Sequence, residues 1–322
     1  MFQPEEIIFA PTGRCNLRCS HCRVSRGPGE LAVADAVAFL DSCADGGIER
    51  IGFSGGEPFL RLDFLVGMSR AAVERGLFFD RLMTNGDWWA DSGDLRSALG
   101  AVSDAGFDGI VGLSYDAYHG QTPERVAEFL GAVFEVWGRK DAAEILSVRS
   151  PDDETFFRDL GVVAASLGGR IDSELGEPSR IVDAAYLARD ESAPDDGGGL
   201  IVPVLRSPRS RSAEEGAWSA ARWFVDDYCE GPGNVLYAHP DGSVAVCCGF
   251  ANENPQLKIG TVRNSFGELM RNAAERPQVR ACYETGLGAV RERLEREGVR
   301  FPGKTGDVCF FCDYLCKEGL VE

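Results

Sequence analysis

No apolar stretch in these 322 residues approaches the roughly 20 that a membrane-spanning helix needs. The start, Met1 to Glu6, has no basic region ahead of an apolar run, so a secretory signal is not expected. Positive charge is short as well: 33 Lys and Arg against 51 Asp and Glu leave a formal net charge of −18. Phosphate backbones are held by an excess of basic side chains, so general nucleic-acid binding is disfavoured. The basic run Arg206, Arg209 and Arg211 reads as a solvated loop, with an anion-binding site as the sharper alternative. There is no tandem repeat, and no acid–base pair can be named. His119 and His239 are the candidates, and His239 reads as a hairpin support. What is left is a cytoplasmic protein with no nucleic-acid or membrane partner. Its composition is ordinary, 44% apolar and 26% charged, and its length allows about two domains.

Cysteine is nearly missing from the middle of the chain. Of eleven, three lie at 15, 19 and 22 and seven between 229 and 316, with only Cys43 in the long gap. Stable disulfides are rare in the cytoplasm, and a disulfide framework would not gather thiols at two ends. Metal or cluster ligation would. Cys43, on an apolar helical run, reads as a small buried hydrophobe.

To about residue 187 the pattern is α/β. Candidate strands at 5–10, 50–54, 79–84, 109–115, 144–149 and 180–186 alternate with runs of helical periodicity at 31–44, 62–75, 94–104, 123–137 and 154–167. Six βα units with short links predict a partial (β/α)6 TIM-type barrel, short of the eight units of a closed one. The polar, breaker-rich stretch 190–199 reads as a linker. The expected domains are therefore 1–189, the linker 190–199, and a small cysteine-rich α+β extension over 200–322.

Cys15, Cys19 and Cys22 form a C-x3-C-x2-C directly after the first strand. Soft thiolates suit iron–sulfur clusters, and three ligands for a four-iron cube leave one iron open. Zinc is the bland reading, with His21 as a fourth ligand, but His21 lies cramped between two of the cysteines. Ser54-Gly55-Gly56-Glu57-Pro58 follows the second strand. The spacing and this second motif, in this order, resemble the radical S-adenosylmethionine (SAM) superfamily. The resemblance implies a [4Fe–4S] cluster on Cys15, Cys19 and Cys22 whose open iron chelates SAM, with electrons from a donor such as flavodoxin or ferredoxin. SAM is then cleaved reductively to a 5′-deoxyadenosyl radical that abstracts hydrogen from a substrate. It further implies SAM contacts from His21 beside the adenine, from Gly55, Gly56, Glu57 and Pro58, and from Asn85, Ser114, Asp116 and Arg149 at later strand ends. The family's sixth-strand glycine pattern for adenine is not evident in 180–184.

In the second half, Cys229 and Cys247 are spaced C-x12-G-x4-C around Asp241-Gly242, a hairpin signal between the apolar runs 235–237 and 244–246. Downstream Cys309, Cys312 and Cys316 form C-x2-C-x3-C. With Ile259-Gly260-Thr261-Val262, this half is similar to the SPASM and twitch extensions of radical SAM enzymes, and the shorter twitch pattern matches better. The resemblance implies one auxiliary [4Fe–4S] cluster on Cys229, Cys247, Cys309 and Cys312, with Cys316 as a substitute for Cys312. A second cluster on Cys248, Cys282 and Cys316 is a further reading, and a zinc ribbon is the bland one. Cys248, Cys282 and Cys316 are also candidate hydrogen-atom donors, and Cys248, next to Cys247 on an extended stretch, is expected to turn away from the cluster or into the core, the core being the favoured reading. The substrate implied is a ribosomally made peptide that undergoes crosslinking, thioether formation or epimerisation. Against this, the first strand begins by residue 5, leaving no N-terminal peptide-binding domain. The alternatives are a radical dehydrogenase acting on a small molecule such as an aminoglycoside precursor, and a non-enzymatic zinc-binding interaction module.

Overall fold

The computed structural model describes residues 3–22, 24–150, 152–174, 176–183, 201–207, 217–225, 235–249 and 251–321. The expected linker, Cys229, Arg209 and Arg211 lie outside the described residues. The chain divides into two compact units. One comprises Met1–Arg14, Arg23–Phe78 and Pro208–Glu322, and the other Cys15–Cys22 and Phe79–Ser207. Among the described residues no helix is long and apolar enough to cross a membrane.

In the first unit β1 (Glu6–Phe9) runs parallel to β2 (Arg50–Phe53), with Ile7 opposite Ile51 and Phe9 opposite Phe53. All four side chains are fully buried, as strands covered on both faces require. Helix α1 (Val33–Asp45) presents Ala36, Phe39, Leu40 and Cys43 inward, one apolar stripe at helical spacing. Phe9 meets Phe39 at 6.4 Å and Phe64 of α2 (Leu62–Glu74) at 6.1 Å between ring centroids. Cys43 lies in this core, where burial pushes its thiol up.

The other edge of β1 pairs, also in parallel, with β9 (Val235–Ala238). A turn then reverses the chain into β10 (Ser243–Ala245), and β11 (Lys258–Thr261) completes the order β11-β10-β9-β1-β2. Gly242 holds that turn at φ +81°, and the Asp241 carboxylate accepts from Ser243 N and Oγ at 2.9 and 2.6 Å. The hairpin expected of the cysteine-rich half is thus a direct continuation of the first strand's sheet. Beyond it come α6 (Phe266–Glu275), closed by a Ser265–Glu268 capping box, the short α7 (Pro277–Arg280), α8 (Leu287–Arg296) and α9 (Val308–Glu318).

The second unit contains all of β3 (Phe78–Thr84) but its first residue. There β3, β4 (Ile110–Ser114) and β5 (Ala143–Val148) are parallel. They are flanked by α3 (Ser92–Asp104), α4 (Pro123–Trp137) and α5 (Asp153–Ser166). The five strands and five helices expected up to this point lie where the periodicity put them. The sixth strand does not. The run at 180–186 enters as β7 (Glu177–Asp183), in an antiparallel hairpin with β6 (Gly169–Glu174). The strand parallel to β5 is β8 (Ile201–Ser207), with Ile145 opposite Val204. The order is β3-β4-β5-β8-β7-β6. Apolar alternation marks a strand without naming its neighbour, so 180–186 and 201–205 read alike until they pair. In each unit the architecture is α/β; among the described residues the first has two parallel and two antiparallel strand pairings, the second three parallel and two antiparallel.

Arg206 of β8 is no solvated loop residue. Its side chain is only 4% exposed, donates to Asp153 Oδ2 at 2.6 Å, Ser147 Oγ at 3.1 Å and Glu177 Oε2 at 3.2 Å, and stacks over Phe156 and Phe157. Two carboxylates already compensate the guanidinium, so it offers no anion site.

Candidate active site

The three N-terminal cysteines stand on a loop of the second unit, held by the residues that follow β3. Asn85 is buried, and its Nδ2 donates to Cys15 Sγ at 3.5 Å and Asn16 Oδ1 at 2.9 Å. Asn16 Nδ2 reaches Asp87 O at 3.0 Å, and Asp87 N returns to Asn85 Oδ1 at 2.8 Å. Leu17 N donates to Cys15 Sγ at 3.4 Å. Two N–H groups aimed at one sulfur suit a metal-bound thiolate, whose remaining lone pairs accept hydrogen bonds. By this test the loop fits an iron–sulfur cluster. Asn85, expected as a SAM contact, here fastens the cysteine loop.

Asp116, just past β4, is similarly committed. Oδ1 accepts from Tyr118 N at 2.9 Å and lies 2.8 Å from His119 Nδ1, while Oδ2 accepts from Val148 N at 3.1 Å. Burial works against this carboxylate, but the hydrogen bond and charge of His119, the charge of His21 and the Val148 N–H hold it below the ordinary range. Burial likewise works against charge on His119, yet its hydrogen bonds to Asp116 and Cys19 outweigh that and hold the imidazole up at about 9. Since Nδ1 faces Asp116, Nε2 is the nitrogen left for the Cys19 sulfur. His21 lies against the rings of Tyr118 and His119, at 4.8 and 5.0 Å. His21, Asp116 and His119 could together hold a metal ion, their ligand atoms lying within 4.8 Å of one another. The Ser114 carbonyl accepts from Gln121 at 3.2 Å, and Arg149 is half exposed and paired with Glu177 at 3.2 Å.

In the first unit, Ser54-Gly55-Gly56-Glu57 docks under the chain leading to the cysteines. Gly56 N donates to Thr12 O at 2.9 Å and Glu57 N to Arg14 O at 2.8 Å. A Cβ on Gly56 would lie 2.0 Å from the Arg14 carbonyl oxygen. The glycine is therefore required by its own protein, whatever ligand its carbonyl serves. Glu57 is fully buried and accepts from Phe59 N at 3.1 Å, opening a 3-10 turn at Pro58. We expect Gly56→Ala to destabilise the fold by about 1–3 kcal/mol through overpacking and to lower iron retention. Thermal melting and an iron assay check this, and an unchanged melt would show that the Arg14 backbone yields freely.

Several of the described C-terminal cysteines lie close together within the first unit. Cys309, Cys312 and Cys316 share a face of α9, whose start is capped by Asp307 accepting from Phe310 N at 3.0 Å. Cys312 Sγ lies 3.5 Å from Cys282 Sγ, and Gln278 Nε2 donates to it at 3.3 Å. Hydrogen bonds from Cys282 and Cys316, with that of Gln278, pull Cys312 towards thiolate against its burial. Cys247 and Cys309 flank Gly249, where a Cβ would stand 3.8 and 3.6 Å from their sulfurs. Cys248 is exposed while Cys247 is buried, so Cys248 does not enter the core as expected. His239 is buried with Nε2 3.2 Å from Asn252 O, and burial lowers its pKa.

Residues 9–118 match the family model of the Radical SAM superfamily. This segment is similar to the radical SAM domains of that superfamily. Pre-heme d1 synthase of Dinoroseobacter shibae is 36% identical over 131 residues, covering 39% of this chain and 30% of that protein. PqqA peptide cyclase of Rhodopseudomonas palustris is 33% identical over 132 residues, covering 40% and 33%. The chain thus spans about a third of the length of these curated relatives. A solved structure, anSMEcpe with bound AdoMet and Cp18Cys peptide, superposes with a TM-score of 0.53 at 14% identity, over 99% of this chain and 98% of that one. At that identity the likeness concerns the fold, and it extends beyond the segment matched by the family model into the cysteine-rich half.

Two residues were legible in the sequence only in other roles. His119 reads as an acid–base candidate, although Asp116 three residues before it is a spacing that brings side chains together in a turn. Cys282, with no motif around it, reads only as a candidate hydrogen-atom donor or ligand of a second cluster.

Proposed function

We propose that the chain is a radical SAM enzyme in which Cys15, Cys19 and Cys22 hold a [4Fe–4S] cluster and the C-terminal cysteines hold an auxiliary one. The observation that carries this is the cysteine loop, with Asn85 and Leu17 donating to Cys15 and with His119, braced by Asp116, at Cys19. When bound, the cluster supplies an electron that cleaves SAM to methionine and a 5′-deoxyadenosyl radical, and the radical takes hydrogen from the substrate. The chain's own residues hold and orient. Asn85 and His119 fix the thiolates, and the carbonyls at Gly55 and Gly56 are our candidates for the SAM ammonium. Glu57 and Pro58 shape that turn, Ser114 is a candidate for a SAM hydroxyl, and His21 one for the adenine. Arg149 reaches a SAM carboxylate only by leaving Glu177. A reduced flavodoxin or ferredoxin is the proposed electron source.

For the substrate we favour a ribosomally made peptide. One relative is by name a peptide cyclase, and the anSMEcpe structure that shares the fold holds a peptide. A small molecule is the second reading, since another relative is a pre-heme d1 synthase. With dithionite and SAM, the anaerobically reconstituted protein is expected to form 5′-deoxyadenosine slowly even without substrate. Formation of S-adenosylhomocysteine alone would mean methyl transfer and overturn the proposal. Zinc in place of iron would leave only the interaction-module reading.

A further inference from the structure

The turn that fastens the cysteine loop is itself fastened from a third place in the second unit. Asn85 and Asp87 belong to the 85–89 turn, which leaves the sheet beyond the last β3–β4 pair, Thr84 opposite Leu113. A chain that has left its ladder must still find donors for its carbonyls. Here they come from the start of α4.

Gln121, two residues before Pro123, is buried. Its Nε2 donates to Asn85 O and, at 3.2 Å, to Ser114 O, so one amide spans the fork where β3 and β4 part. The orientation is fixed, because a flipped amide would set its oxygen against two carbonyl oxygens. It leaves Gln121 Oε1 buried without a hydrogen-bond partner among the described residues. An unmet buried oxygen is costly, and an apolar side chain would fill the space without it. The two donated bonds are what the amide adds. Four residues on, Arg125 grips the same turn. Its Nε donates to Asp87 Oδ1, a terminal nitrogen donates to Trp89 O at 2.9 Å, and the guanidinium lies 3.6 Å from the Trp89 ring centroid. Arg125 N donates in turn to the Thr122 cap at 3.4 Å, which ties this grip to the helix start.

We propose that Gln121 and Arg125 are positioning residues for the SAM-binding cluster, setting through Asn85 and Asp87 where Cys15 stands. This rests on the reading of Cys15, Cys19 and Cys22 as cluster ligands. Gln121 holds the Asn85 backbone. Arg125 holds Asp87, whose N–H fixes Asn85 Oδ1 at 2.8 Å and whose carbonyl accepts from Asn16 at 3.0 Å. With Oδ1 engaged, Asn85 presents its Nδ2 to Cys15 Sγ and Asn16 Oδ1. Side chains of this outer kind orient metal ligands without touching the metal.

The test is the rate at which a chelator strips iron from anaerobically reconstituted full-length protein, with electron paramagnetic resonance to tell the two clusters apart. Outer partners of metal ligands are worth about 10–100-fold in metal affinity. Gln121→Met keeps the length and loses both donors. It and Arg125→Ala are each expected to lose the SAM-binding cluster about 10–100-fold faster than wild type, with the auxiliary cluster unchanged. Arg125→Lys keeps a charge beside Asp87 but not the fork, and should fall between. Added to Asn85→Ala, Gln121→Met should change nothing further, since the path is already cut. Wild-type release in both single variants would overturn the proposal. So would equal acceleration at both clusters, which means a fold loosened throughout, or full additivity with Asn85→Ala, which means another route. A wild type that takes up no iron would overturn the cluster reading instead, and the metal-free chain then decides the clamp. There Cys15 should be alkylated faster in Gln121→Met and Arg125→Ala than in wild type, while buried Cys43 stays protected. Equal Cys15 rates, or Cys43 reacting alongside it, would refute the clamp.

Discussion

Replacing Cys15, Cys19 and Cys22 together with Ala is expected to abolish 5′-deoxyadenosine formation and to remove about half of the bound iron. The effect is large because the three thiolates act as a unit. A cube with no protein ligands is not retained, and without its open iron SAM has no electron source. The fold should survive. Cys15 and Cys19 are only half buried and Cys22 is exposed, so truncation removes little packing. Substitutions at such positions shift stability by no more than about 0.5 kcal/mol. Chromatography of the SAM products and an iron assay on the same preparation check the two arms. Wild-type levels of 5′-deoxyadenosine from the triple variant would remove Cys15, Cys19 and Cys22 from the mechanism. Loss of all iron would mean that the auxiliary cluster depends on the first one.

The parts of the fold legible in the sequence are those set by local chemistry. The α4 helix begins at Pro123 behind a Thr122 cap and ends at Gly138 in a left-handed conformation, and its span follows from those signals. The 241–242 turn was equally plain, because Asp-Gly between apolar runs specifies a tight hairpin. Which strands pair is a non-local matter. Nothing in Val235-Leu236-Tyr237-Ala238 announces that it lies against Glu6–Phe9, more than two hundred residues earlier. The exchange of 180–186 for 201–207 as the strand beside β5 has the same origin, and the polar stretch between them read as a boundary.

At the site, spacing pointed to the cysteine loop because ligands on a short loop must lie close in sequence. It could not separate a residue that touches a cofactor from one that holds the loop. Asn85 and Asp116 sit at strand ends where SAM contacts were expected, and their side chains also bond to Cys15, Asn16, Asp87, Tyr118, His119 and Val148, which spacing does not announce. Gly56 is a similar case. A glycine beside a ligand and a glycine beside a backbone carbonyl look identical in sequence, and only the 2.0 Å approach to Arg14 O distinguishes the second role.

Removing the brace behind Cys19 is the other change with a large expected effect. Asp116→Ala takes a buried carboxylate from His119 and strips the Tyr118 and Val148 N–H groups of their acceptor. Breaking a buried ion pair from one side costs about 3–5 kcal/mol, because the other charge is left uncompensated. Asp116→Asn keeps the shape and one acceptor oxygen and should cost less. The pH dependence identifies the pair. Asp116 has a lowered pKa in the folded chain, so its contribution is full above its unfolded value of about 4 and is lost as pH falls through the folded one. His119 is raised to about 9, so its contribution is full below its unfolded value of about 6.5 and is lost as pH rises through about 9. The stability difference between wild type and Asp116→Ala should therefore be greatest between about pH 4 and 6.5 and decline towards pH 9. Urea midpoints across that range measure it. A difference that stays constant to pH 9 would mean that His119 is neutral in the folded protein and that Asp116 acts through its backbone partners alone.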